Sequence, residues 1–319
     1  MRVLVTGAHG CIGAWTVKAL LDRGLDVLAY DRDAQPRRLA LIAPAEYVQR
    51  LGIRTGDIED QARVKTLVRD EGITHIVHLA AQLMPYCQAN PVAGAMANVI
   101  GALNVFEAAR DAGRPVRVVY ASSSAVWGPE EAYASGKLTE DNPLKPMTHY
   151  GVFKQANEGN ARVFYQNDGI SSVGLRPWTV YGVGRDAGLT ADPTLAMKAV
   201  ALGRPFQIRL TGHMDLQYVE DVADTFVRCL LAPLEGAYVF NLEGATLTME
   251  ELVNLLDRLR PGAGKLITAS GPKVPVAHRM DGSHLRTQVP GVTNTPLEQG
   301  IHRTLGLFAH LASEGRLED

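Results

Sequence analysis

Tyr150 and Lys154 stand four residues apart in the run Tyr150-Gly-Val-Phe-Lys154. At that spacing two side chains share one face of a helix. An ammonium beside a phenol favours the phenolate and lowers a pKa that starts at about 10. That makes the tyrosine an acid/base for use near neutral pH. The pair alone is a pattern that exposed helices carry by chance. The run Ala121-Ser122-Ser123-Ser124 adds to it, because it closes a predicted strand at the edge where a substrate lies. A serine hydroxyl there holds a substrate oxygen toward Tyr150; simple turn chemistry is the competing reading.

A second constellation sits near the start. Thr6-Gly7-Ala8-His9-Gly10-Cys11-Ile12-Gly13 follows one predicted strand and opens a predicted helix. A helix N-terminus presents unpaired N–H groups and a positive dipole end, which suit a pyrophosphate. Glycines at 7, 10 and 13 give Gly-x-x-Gly-x-x-Gly rather than the commoner Gly-x-Gly-x-x-Gly. A glycine-rich turn that binds nothing is the plainer alternative. Asp31 closes the second predicted strand, where a carboxylate hydrogen-bonds an adenosine ribose and repels a 2′-phosphate. The reading is therefore NAD. NADP stays second, because Arg32, Arg37 and Arg38 follow and suit a phosphate.

The elements that must position these groups follow from periodicity. Residues 3–6, 27–30, 54–57, 76–79 and 116–121 read as strands, and 172–176 and 239–242 as later ones. Residues 12–23, 60–71, 92–112 and 150–167 have helical spacing, with Ile12, Trp15, Ala19 and Leu20 as the apolar face of the first helix. Short strands alternating with helices predict an α/β fold: a doubly wound parallel sheet of Rossmann type. The pattern loosens after about residue 182; 193–202 and 248–259 look helical, and 262–300 shows no clear period. The expectation is a dinucleotide-binding domain over 1–180, with later returns near 215–245, and a smaller substrate lobe over 181–319.

Bulk properties bound the rest. The 319 residues carry a net charge of −2 and no basic run, which argues against nucleic acid as a partner. Three scattered cysteines, Cys11, Cys87 and Cys229, fit neither a disulfide framework nor a metal knuckle. His278 and His284 lack evident partner ligands, so no metal is expected. The opening Arg2-Val3-Leu4-Val5 reads as a strand and not as a secretory leader, and no uninterrupted apolar stretch reaches spanning length. A cytoplasmic location, with no membrane partner, is the expectation.

Taken in order, these residues resemble the extended short-chain dehydrogenase/reductase family of NAD-dependent epimerases, dehydratases and reductases. The resemblance runs through about residue 245. It rests on the glycine turn, Asp31, Gly56-Asp57-Ile58, His78-Leu79-Ala80-Ala81, Asn98, the serines leading into Val126-Trp127-Gly128, Tyr150 with Lys154, Leu175–Gly182 and Tyr218–Ala223. It implies that Ser123, Tyr150 and Lys154 are catalytic, with Ser124 not separated from Ser123. It assigns Gly7, Gly10, Cys11, Ile12, Gly13, Asp31, Arg32, Asp57, Ile58, Leu79, Ala80, Ala81, Asn98, Ala121, Pro177 and Val180 to the cofactor, together with Tyr150 and Lys154. Lys154 bridges the nicotinamide ribose while activating Tyr150.

Departures from the family pattern concern the substrate. Met214 stands where nucleotide-sugar members carry a diphosphate-binding arginine, and it cannot pair with phosphate. Ser124 and Ala125 replace the Asp-Glu pair of dehydratases. The leading reading is an oxidoreductase acting on a secondary alcohol or ketone of a sugar-like or other small polyhydroxylated substrate, not a nucleotide sugar. An epimerase that retains its NAD is the second reading, and a non-catalytic NAD(P)-binding regulator the third. Substrate-side candidates are Gln82, Met84, Ser123, Ser124, Trp127, Trp178, Thr179 and Arg185, with His149 read as a solvated helix-start residue. Family analogy implies a homodimer through the helices over 92–112 and 150–167. Val99, Leu103, Val105 and Phe106 suit either that contact or the sheet face.

Overall fold

Strand β1 (Arg2–Thr6) sets the architecture: Val3 and Val5 face one apolar layer and Leu4 the opposite one, all fully buried. A strand covered on both faces belongs inside a sheet with helices on either side. The computed structural model describes residues 1–317. From β1 the chain enters α1 (Cys11–Asp22), β2 (Asp26–Asp31), α2 (Arg37–Ile42), α3 (Ala45–Arg50), β3 (Gly52–Thr55), α4 (Gln61–Asp70) and β4 (His75–His78). Next come α5 (Met84–Ala89) and a long helix made of α6 (Pro91–Ala95), a π-helical turn (Met96–Ile100) and α7 (Gly101–Arg110). β5 (Arg117–Ala121), α8 (His149–Asp168) and β6 (Ser172–Arg176) follow. The second part runs through β7 (Thr179–Tyr181), α9 (Asp192–Leu202), β8 (Phe206–Ile208), β9 (His213–Tyr218), α10 (Val219–Leu231) and β10 (Ala237–Asn241). It ends with β11 (Ala245–Thr248), α11 (Met249–Leu259), β12 (Ile267–Ala269), α12 (Ser283–Gln288) and α13 (Leu297–Ser313).

Seven parallel strands form the central sheet in the order β10-β6-β5-β4-β1-β2-β3. The order reverses between β1 and β4, and open sheets of this kind bind ligands beyond the carboxyl ends at that point. One face packs α1 and α10 against Val3, Val5, Ala29 and Val77; the other packs α4, α7 and α8 against Leu4, Leu28, Ile76 and Val118. Each such side chain contributes roughly 1.5–3 kcal/mol by leaving water. β7, β9 and β11 make a three-stranded sheet, and β8 pairs with β12.

The doubly wound parallel sheet is as expected from the sequence, with particular differences. The third strand lies at 52–55, two residues earlier than read, because Gly56 and Asp57 already turn away from the sheet. Ile12 and Ala19 are only half-buried in α1; Gly13, Ala14, Thr16 and Val17 join Trp15 and Leu20 in the buried face, since α1 is covered by the sheet and by α10 together. Within the stretch that showed no period, α12 and the first turn of α13 are helical; α13 continues to Ser313, with Ile301, Leu305, Phe308 and Leu311 buried. The helical stretch Pro91–Arg110 is long and apolar enough to cross a membrane, although interrupted by polar residues, and more than half of it is buried inside the fold. Val105 and Phe106 fill the core under the sheet, whereas Val99 and Leu103 remain half-buried.

Candidate active site

The carboxyl ends of β1, β2, β4 and β5 open onto one cleft with two halves. One half, of about 440 Å³, is lined by Gly7, Asp31, Arg32, Asp57, Ile58, Ala80 and Gln82 among others. The second, of about 370 Å³, is lined by Gly10, Cys11, Ile12, Gly13, Ala121, Ser123, Ser124, Tyr150, Lys154, Pro177 and Val180 among others. Gly7, Gly10, Leu79 and Ala81 border both, so the glycine turn is the saddle between the halves.

Two glycines of that turn are required by its shape. Gly7 has φ +67°, and a Cβ there would lie 2.6 Å from the Ala80 nitrogen. A Cβ on Gly13 would lie 2.1 Å from the Gly7 carbonyl oxygen. The turn thus folds tightly onto the first turn of α1, which opens at Gly10 without any side-chain cap. Its free N–H groups and positive dipole end lie along the cleft, as a pyrophosphate needs. On the far side the Asp31 carboxylate accepts from the His9 N–H at 2.9 Å and the Asp33 N–H at 3.2 Å, which fixes it at the rim. Gln82 lies beside Arg32 on that rim, and with its amide turned oxygen-first it accepts from Arg32 at 2.9 Å. The residues present fit a dinucleotide: an uncapped helix end for the phosphates, with a fixed carboxylate at one side and an acid/base group at the other.

In the second half, α8 starts at the N-cap Thr148, whose hydroxyl accepts from the Gly151 N–H at 3.1 Å. The helix brings Tyr150 and Lys154 to the cleft wall. Lys154 Nζ donates to the Ala121 carbonyl at 2.7 Å, tying α8 to the end of β5. It lies 5.5 Å from the centre of the Tyr150 ring, and burial brings its pKa down to about 8. Ser123 draws the Tyr150 pKa down while its hydroxyl accepts from the Ala125 N–H at 3.1 Å, and the Ser124 N–H donates to the Pro177 carbonyl at 3.0 Å. Beneath them His78, 2.8 Å from Thr6 Oγ1, is held neutral, its pKa brought down to about 3 by burial and by the Lys154 charge.

The phenol departs from expectation. Burial raises its pKa above the ordinary value, while Ser123 and the Arg185 charge pull the other way. Lys154 is tied to the Ala121 carbonyl and lies over the phenol ring, and desolvation of the phenol prevails.

Other candidates fall in different places. Met84, Trp178 and Arg185 join the serines in the second half. Gln82 lies in the first half beside Arg32, away from Tyr150. Trp127 is fully buried, with the Arg176 guanidinium 4.6 Å over its ring, and Thr179 is buried against Met214; neither lines the cleft. Met214 is itself a core residue with no exposed surface, so its lack of charge says nothing about what the cleft holds. Asn98 is buried behind the wall: its amide donates to the Gly94 carbonyl at 2.9 Å, and its own carbonyl, freed in the π-helical turn, accepts from Asn157 at 2.8 Å. His149 is exposed and stacks on Phe153. All three cysteines are free, and burial pushes the Cys11 thiol up to about 12. Among the described residues, no group of three or more His, Cys, Asp or Glu is arranged to hold a metal ion.

Some lining residues escaped the sequence reading. Val274 and Val276 reach the second half from the stretch without period, and Leu83, Leu189 and Thr190 from loops. Glu158 and Arg176, which brace the site from below, carried one readable signal: Glu158 follows Lys154 by four residues on the same helical face.

Comparison with known proteins identifies the family. Residues 3–242 match the NAD dependent epimerase/dehydratase family. A UDP-glucose 4-epimerase of Lactobacillus helveticus is 31% identical over 261 residues, covering 76% of each chain. One from Mycolicibacterium smegmatis is 30% identical over 97% of this chain and 98% of its own. The UDP-glucose 4-epimerase of Thermus thermophilus, solved in complex with NAD, superposes with a TM-score of 0.81 at 28% identity, covering 97% of this chain and 99% of that one. The chain belongs to the NAD-dependent epimerase/dehydratase family and is an NAD-dependent enzyme of the extended short-chain dehydrogenase/reductase type.

Proposed function

We propose that the protein oxidises or reduces a secondary alcohol or ketone of a small polyhydroxylated substrate. One observation carries the reading: Ser123, Tyr150 and Lys154 line one cavity that continues into the glycine-turn cleft. NAD, when bound, supplies the hydride acceptor or donor. Gly7, Gly10, Gly13 and the first N–H groups of α1 would hold its phosphates, Asp31 its adenosine ribose and Lys154 its second ribose, with Pro177 and Val180 on the side of the nicotinamide. Residues 181–319 supply most of the substrate side.

Ser123 holds the substrate oxygen, and Tyr150 moves its proton. In the reducing direction the phenol, protonated through its raised pKa, gives its proton to the new alkoxide. In the oxidising direction the phenolate takes the hydroxyl proton as the carbinol C–H bond breaks. Ser123 and the Arg185 charge favour that ionised form. A screen of sugars, sugar acids and polyols at 340 nm tests the reading. Turnover with net NADH formation, lost about 10²–10⁴-fold in Tyr150→Phe with NAD affinity kept, is the expected result. Undiminished turnover in Tyr150→Phe refutes it.

The similarity to UDP-glucose 4-epimerases over nearly the whole chain favours a second reading, epimerisation with retained NAD. Purified protein carrying NAD and converting UDP-glucose without net change at 340 nm would decide for it. We also infer a homodimer. Val92, Met96, Val152 and Val163 lie exposed on α6, the π-helical turn and α8, an apolar surface that a second copy would cover. Light scattering at twice the chain mass is the expected outcome. Cell fractionation tests the cytoplasmic location that belongs to the same proposal.

A further inference from the structure

We propose that Arg185 binds an anionic group of the substrate, so that the substrate carries a carboxylate or a phosphate monoester beside its reacting carbinol. This rests on the hydride-transfer reading above. Four charged side chains line the catalytic half of the cleft: Arg38, Lys154, Arg185 and Asp186. Three are answered within the protein. Arg38 Nε and Nη2 donate to the two Asp186 carboxylate oxygens at 2.9 and 2.6 Å, and Nη1 donates to the His9 carbonyl at 2.7 Å. Lys154 donates to the Ala121 carbonyl at 2.7 Å.

Arg185 is different. Its Nη2 donates to the Thr190 hydroxyl at 3.1 Å, while its Nε is buried without a hydrogen-bond partner. Among the described residues, no carboxylate pairs with it. The Nε is closed to solvent, but Nη1 carries no hydrogen bond and is not buried, so the guanidinium keeps a terminal donor for an incoming acceptor, and a carboxylate or phosphate oxygen is the strongest available. Leu83, Leu189, Val274 and Val276 line the same cavity beside it. Arg185 and Tyr150 line the same half of the cleft, so the anion it holds shares the cavity with the acid/base group. A terminal carboxylate or phosphate on a short polyol meets that condition.

The test titrates the NAD-loaded protein by calorimetry with matched probes: gluconate, glucose 6-phosphate, glucose and UDP-glucose. Gluconate or glucose 6-phosphate is expected to bind at least tenfold tighter than glucose and UDP-glucose. Arg185→Gln is expected to abolish that difference while leaving the NAD dissociation constant within twofold. Binding, unlike turnover, separates this inference from the reaction itself. A protein that transfers hydride but binds neutral and anionic probes alike retains the function and loses the inference. Preference for UDP-glucose, no binding of either small anion, a preference that survives Arg185→Gln, or an equal loss of NAD affinity would each overturn it. Arg185→Lys, which keeps the charge, is expected to restore part of the preference.

Discussion

Glu158 and Arg176 form a buried two-point ion pair, with Nε to Oε1 and Nη2 to Oε2 both at 2.8 Å. Glu158 lies on α8 one turn beyond Lys154, and Arg176 closes β6. The Glu158 carboxylate also accepts from the Ser122 hydroxyl at 2.5 Å, next to Ser123. The pair therefore joins the helix of Tyr150 and Lys154 to both strands whose ends form the cavity wall.

Breaking the pair from one side strands a buried charge. Arg176→Met is expected to cost about 3–5 kcal/mol. At the size of this chain that lowers Tm by about 4–8 °C. Arg176→Met with Glu158→Gln should cost less than the two single changes added together. Thermal unfolding of the three variants measures this, and additive losses would mean the two side chains are not coupled.

Lys154 should show function and stability in conflict. Its pKa falls from 10.5 to about 8 on folding, so the buried ammonium is a penalty below pH 8 that fades as pH rises toward 10.5. Lys154→Met removes that penalty, worth up to about 3 kcal/mol, and loses a hydrogen bond worth about 1 kcal/mol. The variant should be inactive yet melt higher than the parent at pH 7, with the gap narrowing above pH 8. A lower Tm at pH 7 contradicts the argument.

Gly13→Ala tests the glycine turn. The new Cβ would meet the Gly7 carbonyl oxygen at 2.1 Å and Ala8 backbone atoms at 2.9 Å, so the turn and α1 must separate. NAD binding, followed by fluorescence titration, should weaken at least tenfold, with a loss of about 1–3 kcal/mol in stability. Unchanged NAD affinity would show that the close approach is not needed for binding.

Asp215 predicts a pH dependence of folding. Its carboxyl is buried on β9, accepting from Gln217 Nε2 at 2.7 Å and from the Gly244 N–H at 2.9 Å, and burial pushes its pKa up to about 7. A folded pKa above the unfolded value of 3.8 means stability present at low pH and lost as pH rises through 7. Asp215→Asn should flatten the fall in stability between pH 4 and pH 7, read from chemical denaturation across that range. An identical pH profile in the variant would rule Asp215 out as its cause.

Much of this molecule was legible before any tertiary contact. Strand-then-helix alternation, the glycines at 7, 10 and 13, Asp31, and the Tyr150–Lys154 spacing are local patterns, each tied to the period or dihedral freedom of a few neighbouring residues. They determined the doubly wound sheet, the cleft at its switch point and the class of chemistry. Burial and long-range pairing are different in kind. Trp127 looked like a substrate residue and Met214 like a missing diphosphate arginine, and packing put both in the core. The phenol of Tyr150 stands above its ordinary pKa because the fold desolvates it, whatever its neighbour four residues away. Arg185 is one cation among 32 Lys and Arg in the sequence; the fold left it in the cavity with an unanswered N–H. Sequence by itself thus determined which elements form and which chemistry they can carry. Tertiary structure decided which side chains reach the cavity and how they are solvated there, because both depend on residues far apart in the chain.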